Sequence, residues 1–326
     1  MNRRLAAGIA LAFGICGSTW AQAPAATNWP DRPVKLIVGF TPGGAADYVA
    51  RNVGEALSRS LGQPIVIENK PGAGSSLATD FVAKAPPDGY TLLIASPSSI
   101  SVNPAIDPKR VQAVQSLIPV SKLSASPLVV AANPQLGVKT IPELIAYAKK
   151  NPGKVNFAHA GMGSAPHLGG VLFNQLANLD LVPIPFKGGA PSVQSVIAGD
   201  TQVTFATPPS VLPHVKSGRL VGLGVTTVDR FPLVPELPGM KEAGLPNYKM
   251  DFWYGFFVPQ GTPPEIIRKL FDATQVALKN PDVKAALARE GTDVSPSASP
   301  ADFANFIRDE NRFWAKLAKD SGAKAD

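Results

Sequence analysis

A chain of 326 residues has room for about two domains. With 45% hydrophobic and only 17% charged residues it is not intrinsically disordered. Its net charge of +7 is spread without Lys/Arg clusters or interleaved aromatics, which argues against nucleic-acid binding. A single cysteine excludes a disulfide framework and a Cys-built zinc site.

The chain opens with Met1-Asn2-Arg3-Arg4, an apolar run from Leu5 to Ile15, and Ala21-Gln22-Ala23. A basic start, a short apolar stretch and an A-x-A-like exit describe a secretory signal peptide over 1–23, cut after Ala21 or Ala23. The run is too short to span a bilayer, which needs about 20 residues. Cleavage would remove Arg3, Arg4 and Cys16, leaving a cysteine-free exported protein suited to an oxidising periplasm.

Val34 to Phe40 reads as a strand ending at Thr41-Pro42-Gly43-Gly44, followed by a helix with Val49, Val53, Leu57 and Leu61 on one face. Ile65-Val66-Ile67, a helix near 75–84 and the strand Tyr90 to Ala95 continue the alternation, the signature of a parallel sheet wrapped by helices. The order recurs further on. Thr140-Ile141-Pro142-Glu143 opens a helix as a capping box. Val155 to Ala158 is a strand, and Leu168, Val171, Leu172, Gln175 and Leu176 mark the next helix. Val182 to Phe186, Val203 to Ala206 and Leu220 to Thr227 are strands, with a short helix from Pro191 to Gly199. The C-terminal third reads as helical: Thr262-Pro263-Pro264-Glu265 suggests a second capping box, and Ser299-Pro300-Ala301-Asp302 opens a last helix. Its expected packing stripe is Phe303, Phe306, Ile307, Phe313, Trp314 and Leu317.

Nucleophile-elbow, H-E-x-x-H, Walker A and G-x-G-x-x-G patterns are all missing, and His159, His167 and His214 lack metal-ligand spacing. No catalytic residue, metal or cofactor is expected. Three loops look alike instead: Gly43-Gly44-Ala45-Ala46, Gly161-Met162-Gly163-Ser164 and Lys187-Gly188-Gly189-Ala190 each lead into a helix. Small residues permit close backbone approach, and helix starts offer free N–H groups with roughly half a positive charge. At the carboxyl ends of strands they predict an anion site, built from neutral dipoles and suited to capture and release.

These residues carry a resemblance. Trp29 to Pro33, Phe40 to Gly44 with Asp47 and Arg51, and Glu68 to Gly74 belong to it, as do Pro87 to Leu92 and Pro152 to Lys154. So do Gly161 to Ser164 with His167, Pro185 to Gly189, Glu242 to Pro246 and Pro259 to Pro263. From about residue 28 onward the sequence resembles the substrate-binding proteins of tripartite tricarboxylate transporters, the Bug family of periplasmic solute receptors. The resemblance implies a type II periplasmic binding protein fold: two α/β lobes closing on a ligand cleft, with lobe 1 over 27–124 plus 229–326 and lobe 2 over 125–228. It implies capture of a small organic carboxylate (mono-, di- or tricarboxylate, possibly aromatic) for a membrane transporter, by a monomer. An orphan receptor feeding a sensor domain is the alternative, and a hydrolase using His167 with Ser164 a remoter one.

Carried over, the ligand residues are Phe40, Thr41, Gly44, Ala45, Asp47, Ser96 and Ser98 on one lobe. Gly161, Gly163, Ser164, Phe186, Lys187, Ala206 and Thr207 face them from the other. Asp47 either touches ligand or supports its own helix. Val171, Phe186, Ala206-Thr207-Pro208 and the segment Asp107 to Ser116 depart from the family pattern. With Asp47 as the sole acid in these loops, a carboxylate without an amino group is favoured over aspartate or glutamate. Phe40 and Phe186 either wall the cleft or belong to the strand core.

Overall fold

The alternating half of the chain folds as its apolar spacing predicts. The computed structural model describes residues 28–248 and 250–321, so the expected signal peptide lies outside the described residues. The first lobe begins with β1 (Val34–Val38), α1 (Ala45–Leu61), β2 (Ile65–Asn69), α2 (Ser76–Ala83) and β3 (Thr91–Ala95). Short helices α3 (Asn103–Ile106) and α4 (Val111–Gln115) lead to β4 (Leu117–Pro127). The second lobe holds β5 (Val129–Ala132), α5 (Ile141–Lys150), β6 (Asn156–His159), α6 (Ala165–Ala177) and β7 (Val182–Pro185). It continues with α7 (Gly189–Ala198), β8 (Val203–Ala206), α8 (Pro208–Lys216) and β9 (Val221–Val225). The chain then returns as β10 (Asp251–Pro259), α9 (Pro264–Lys279), α10 (Pro281–Arg289), β11 (Asp293–Val294) and α11 (Pro300–Ser321).

The six-stranded sheet has the order β11-β4-β10-β3-β1-β2, and the five-stranded sheet β7-β6-β8-β5-β9. Both are mixed rather than parallel. β1 pairs parallel with β2 and β3, whereas β10 runs antiparallel to β3 and β4. In the second sheet β6 is parallel to β7 and β8, and β5 antiparallel to β8 and β9. The strand carrying residue 124 stays in the first sheet to Pro127, so the chain passes between sheets at Leu128. It returns between Val225 and Asp251. Thr226 knits these passages together: its hydroxyl accepts from the Leu128 N–H at 2.7 Å and donates to the Met250 carbonyl at 2.8 Å.

Several local expectations need correcting. In α6, Leu168 is buried but Leu176 is exposed, and the packed face is instead Gly169, Gly170, Phe173 and Ala177. A Cβ on Gly170 would lie 2.3 Å from the Phe157 ring, so the missing side chain is what admits the helix to its strand. Thr262 forms no capping box; its hydroxyl donates to the Pro259 carbonyl, and α9 starts after Pro263 without a side-chain cap. Thr140 and Ser299 do cap, accepting from the Glu143 and Asp302 N–H groups. Along α11, Phe303, Ile307, Trp314 and Leu317 are buried, but Phe313 lies off that face and is 40% exposed. Among the described residues no helix is long and apolar enough to cross a membrane.

Candidate ligand-binding cleft

Four helices begin where the lobes meet. The start of α1 is capped from across the cleft: the Ala45 N–H donates to Ser210 Oγ at 3.2 Å. The start of α6 answers it, the Ala165 N–H donating to Ser98 Oγ at 3.0 Å. Each lobe therefore caps a helix of the other. Ser210 Oγ also lies 3.3 Å from Thr207 Oγ1, and Thr207 hydrogen-bonds Tyr254, whose phenol burial pushes well above its usual pKa. Together with Phe40, Gly44, Ala206 and Phe252 these groups enclose an inner chamber of about 20 Å³. That space accepts about one water molecule.

The loops' glycines serve this closure. Gly163 has φ +67°, and a Cβ there would fall 2.3 Å from Asn103 Oδ1 and 2.6 Å from Ile106 Cδ1 in the opposite lobe. A Cβ on Gly188, at φ +145°, would meet Thr41 Oγ1 at 2.8 Å. The expected close approach is real, but here its partner is the facing lobe.

Beside the inner chamber, and sharing Phe40 and Ala160 with it, lies an outer cavity of about 310 Å³. The first lobe contributes the 72–76 loop, Asn103, Ile106, Asp107 and Arg110; the second contributes Gly161, Met162, Pro185, Phe186 and Lys187. Its wall is unusual at Gly72, Ala73, Gly74 and Ser75, which have φ of 143°, 46°, 57° and 77°. Non-glycine residues in such conformations cost about 1–3 kcal/mol each and persist only where their surroundings hold them. Asn103 does the holding: its Nδ2 donates to the Ala73 and Gly74 carbonyls and to Ser76 Oγ, at 2.7–3.2 Å.

Opposite, the 161–164 loop is braced from behind. The Gly161 carbonyl accepts from the Ser164 N–H at 3.0 Å and sits 2.9 Å from His159 Nδ1. A carbonyl only accepts, so that nitrogen carries the imidazole's proton. His159 is fully buried with its ring centroid 4.6 Å from that of His167; burial, then the neighbouring imidazole, hold its pKa down at about 3. Ser164 Oγ accepts the His167 backbone N–H at 3.2 Å, which is a helix cap and not the activation of a nucleophile.

The residues expected to bind ligand thus fall into three groups. Gly44, Ala45, Ser98, Ala206 and Thr207 form the inner chamber; Gly161, Phe186 and Lys187 line the outer one; Phe40 belongs to both. Thr41, Asp47, Ser96, Gly163 and Ser164 line neither. Asp47 lies outside both chambers, with its carboxylate engaged within its own lobe. It accepts from Arg51 at 2.8 and 3.0 Å, from the Gly43 N–H at 3.1 Å and from Asn69 at 3.1 Å. Burial alone would raise its pKa, but these bonds outweigh that and bring it below the usual value. Its carboxylate supports its own loop.

The 72–76 loop, Asn103, Asp107 and Arg110 line the outer cavity without having been expected there, since a left-handed run at Ala73 and Ser75 has no signature in residue type. Among the described residues no group of three or more His, Cys, Asp or Glu side chains gathers to hold a metal.

The comparisons agree with this architecture. Residues 49–323 match the model of the tripartite tricarboxylate transporter family receptor. The chain is 37% identical over 304 residues to protein BugT of Bordetella pertussis, covering 92% of each. Among solved structures, the periplasmic binding protein BugD superposes with a TM-score of 0.86 at 31% identity, over 91% of this chain and 99% of that one. An R. palustris protein with adipate gives the same values. MatC from Rhodopseudomonas palustris with bound malate gives 0.84 at 33%, over 89% and 99%. By sequence and by fold, this chain belongs to the tripartite tricarboxylate transporter receptor family.

Proposed function

We propose that the exported chain, freed of residues 1–23, is a periplasmic receptor. It captures a small organic carboxylate without an ammonium group and presents it, as a monomer, to membrane subunits of a transporter. The observation that carries this reading is the outer cavity, about 310 Å³, enclosed by loops of both lobes. That volume matches the small end of ligand pockets, roughly 300–1,000 Å³. Two cationic residues, Arg110 and Lys187, line it against one acid, Asp107. Asp107 is engaged, its oxygens taken by the Lys109 N–H at 3.1 Å and by Arg110 at 3.3 Å. With Asp47 also committed, a ligand ammonium would find no free carboxylate, and burying it unpaired is costly. The relatives that hold malate and adipate support an acid of this size.

In this reading the two lobes close by bending where the chain passes between the sheets, at Leu128 and between Val225 and Asp251. The test is thermal melting of the mature chain against a panel of carboxylates, their amides and the matching amino acids. At 100 times its Kd, a bound acid stabilises by about 2.7 kcal/mol. For a chain of this length that raises Tm by roughly 4 °C. No shift with any acid, or a larger shift with aspartate than with succinate, would contradict the proposal.

A further inference from the structure

Three independent features line the outer cavity. The first is Arg110, which lines the cavity from the first lobe. Its Nη1 bonds Asp80 at 2.8 Å and its Nε pairs with Asp107 at 3.3 Å, which fixes the guanidinium in the cavity wall. Its Nη2 has no partner among the described residues. The second is Lys187, from the facing lobe. It is exposed, lines the same cavity, and makes no hydrogen bond or ion pair among the described residues. The third is Ser75, only 1% exposed, whose hydroxyl is buried without a partner in the cavity wall. An unsatisfied buried hydroxyl is costly, and a ligand oxygen is one group that would satisfy it. A guanidinium held rigid by two carboxylates keeps a remaining N–H edge for a third oxyanion, in a geometry it need not reorganise to reach.

We infer that Arg110, with Lys187 and Ser75, forms a subsite for a second anionic group on the ligand and decides ligand class, so that diacids bind in preference to monoacids of equal length. This rests on the carboxylate reading above but adds to it Arg110 and Ser75, which lie outside the residues that the family resemblance assigns to the ligand. Arg110 and Lys187 come from opposite lobes, so a second acid group held by both also ties the lobes together across the cavity. A monoacid leaves Lys187, the free Nη2 edge of Arg110 and the Ser75 hydroxyl without a ligand oxygen.

The test is calorimetric titration of the mature chain with adipate against hexanoate, and isophthalate against benzoate. The wild-type chain is expected to bind at least one diacid ten or more times more tightly than its monoacid partner. Lys187→Met, at an exposed position, and Ser75→Ala, which removes only the hydroxyl, are each expected to reduce that ratio at least threefold by weakening the diacid more than the monoacid. Arg110→Met should abolish it; because this variant strips Asp80 and Asp107 of their counter-ion, its melting is measured alongside. Equal affinities within both pairs, or a ratio unchanged in Lys187→Met and Ser75→Ala, would overturn the subsite and leave the carboxylate reading standing. No binding of any of the four acids would overturn both.

Discussion

The two chambers of the cleft are neighbours built on different principles. The inner one, about 20 Å³, is a seam: helix starts and hydroxyls of one lobe satisfy those of the other, through Ala45 to Ser210 and Ala165 to Ser98. The outer one, about 310 Å³, is a container, with strained backbone on one wall, a braced loop on the other, and a lysine, Lys187, that makes no ion pair among the described residues. Polar groups in the seam find partners when the lobes close, so the seam rewards closure whatever is bound. In the container the Ser75 hydroxyl and Lys187 are left for a ligand of the right chemistry. Closure and selectivity are thereby assigned to different residues, and substitutions in the two regions should differ in kind.

The largest effect is expected at the boundary. Gly163→Val puts branched carbon into space occupied by Asn103 and Ile106, at a residue that does not line the container. Held apart, the lobes lose their common cavity, and affinity for every ligand should fall more than a hundredfold, about 2.7 kcal/mol. Because Gly163 sits at positive φ, melting is measured on the same variant. A well-folded variant that binds normally would show that the seam is not needed.

Next is a pH effect behind the container wall. His159 in the folded protein has a pKa near 3, against 6.5 when exposed. As pH falls below 6.5 the unfolded chain takes up this proton and the folded chain does not. Stability from the neutral, buried imidazole is therefore complete above 6.5 and is lost progressively as pH falls from 6.5 toward 3. About 2 kcal/mol should be gone at pH 5. Denaturant unfolding at pH 7 and 5 measures it, and His159→Gln, which keeps a donor for the Gly161 carbonyl, should flatten the slope. An unchanged difference in that variant would place the titrating group elsewhere.

The smallest effects belong to single seam bonds. Ser98→Ala and Ser210→Ala each remove one hydrogen bond between the lobes, typically about 0.5–1.5 kcal/mol. Each should weaken binding roughly two- to tenfold, by the same factor for every ligand and through faster release. A factor that differs between a diacid and its monoacid would mean that the inner chamber reads the ligand, and would erase the contrast with Lys187.

Much of the scaffold was legible because it obeys simple periods. The α1 face at Val49, Val53, Leu57 and Leu61 is buried as its spacing predicts. β10 was not legible: Trp253 and Phe257 pack toward α11 while Phe252, Tyr254 and Phe256 pack on the other side, so the run shows no alternation. The mixed sheets went unseen with it, and so did Tyr254 and its link to Thr207. In α6 the packed face is made by glycines, which a search for apolar side chains passes over. The seam loops could be named from their small residues, since helix starts announce themselves. The container could not, because it depends on Asn103 clamping a left-handed loop some 30 residues away in sequence, a tertiary fact.

The central claim is that ligand sits in the container while the seam merely shuts. A crystal structure of the mature protein with whichever acid most raises its Tm tests this directly. The account predicts the ligand between Phe40, Gly161 and Phe186, with Ser98 and Ser210 still capping the opposite lobe's helices. A ligand carboxylate on the Ala45 and Ala165 N–H groups, displacing both serines, would contradict it.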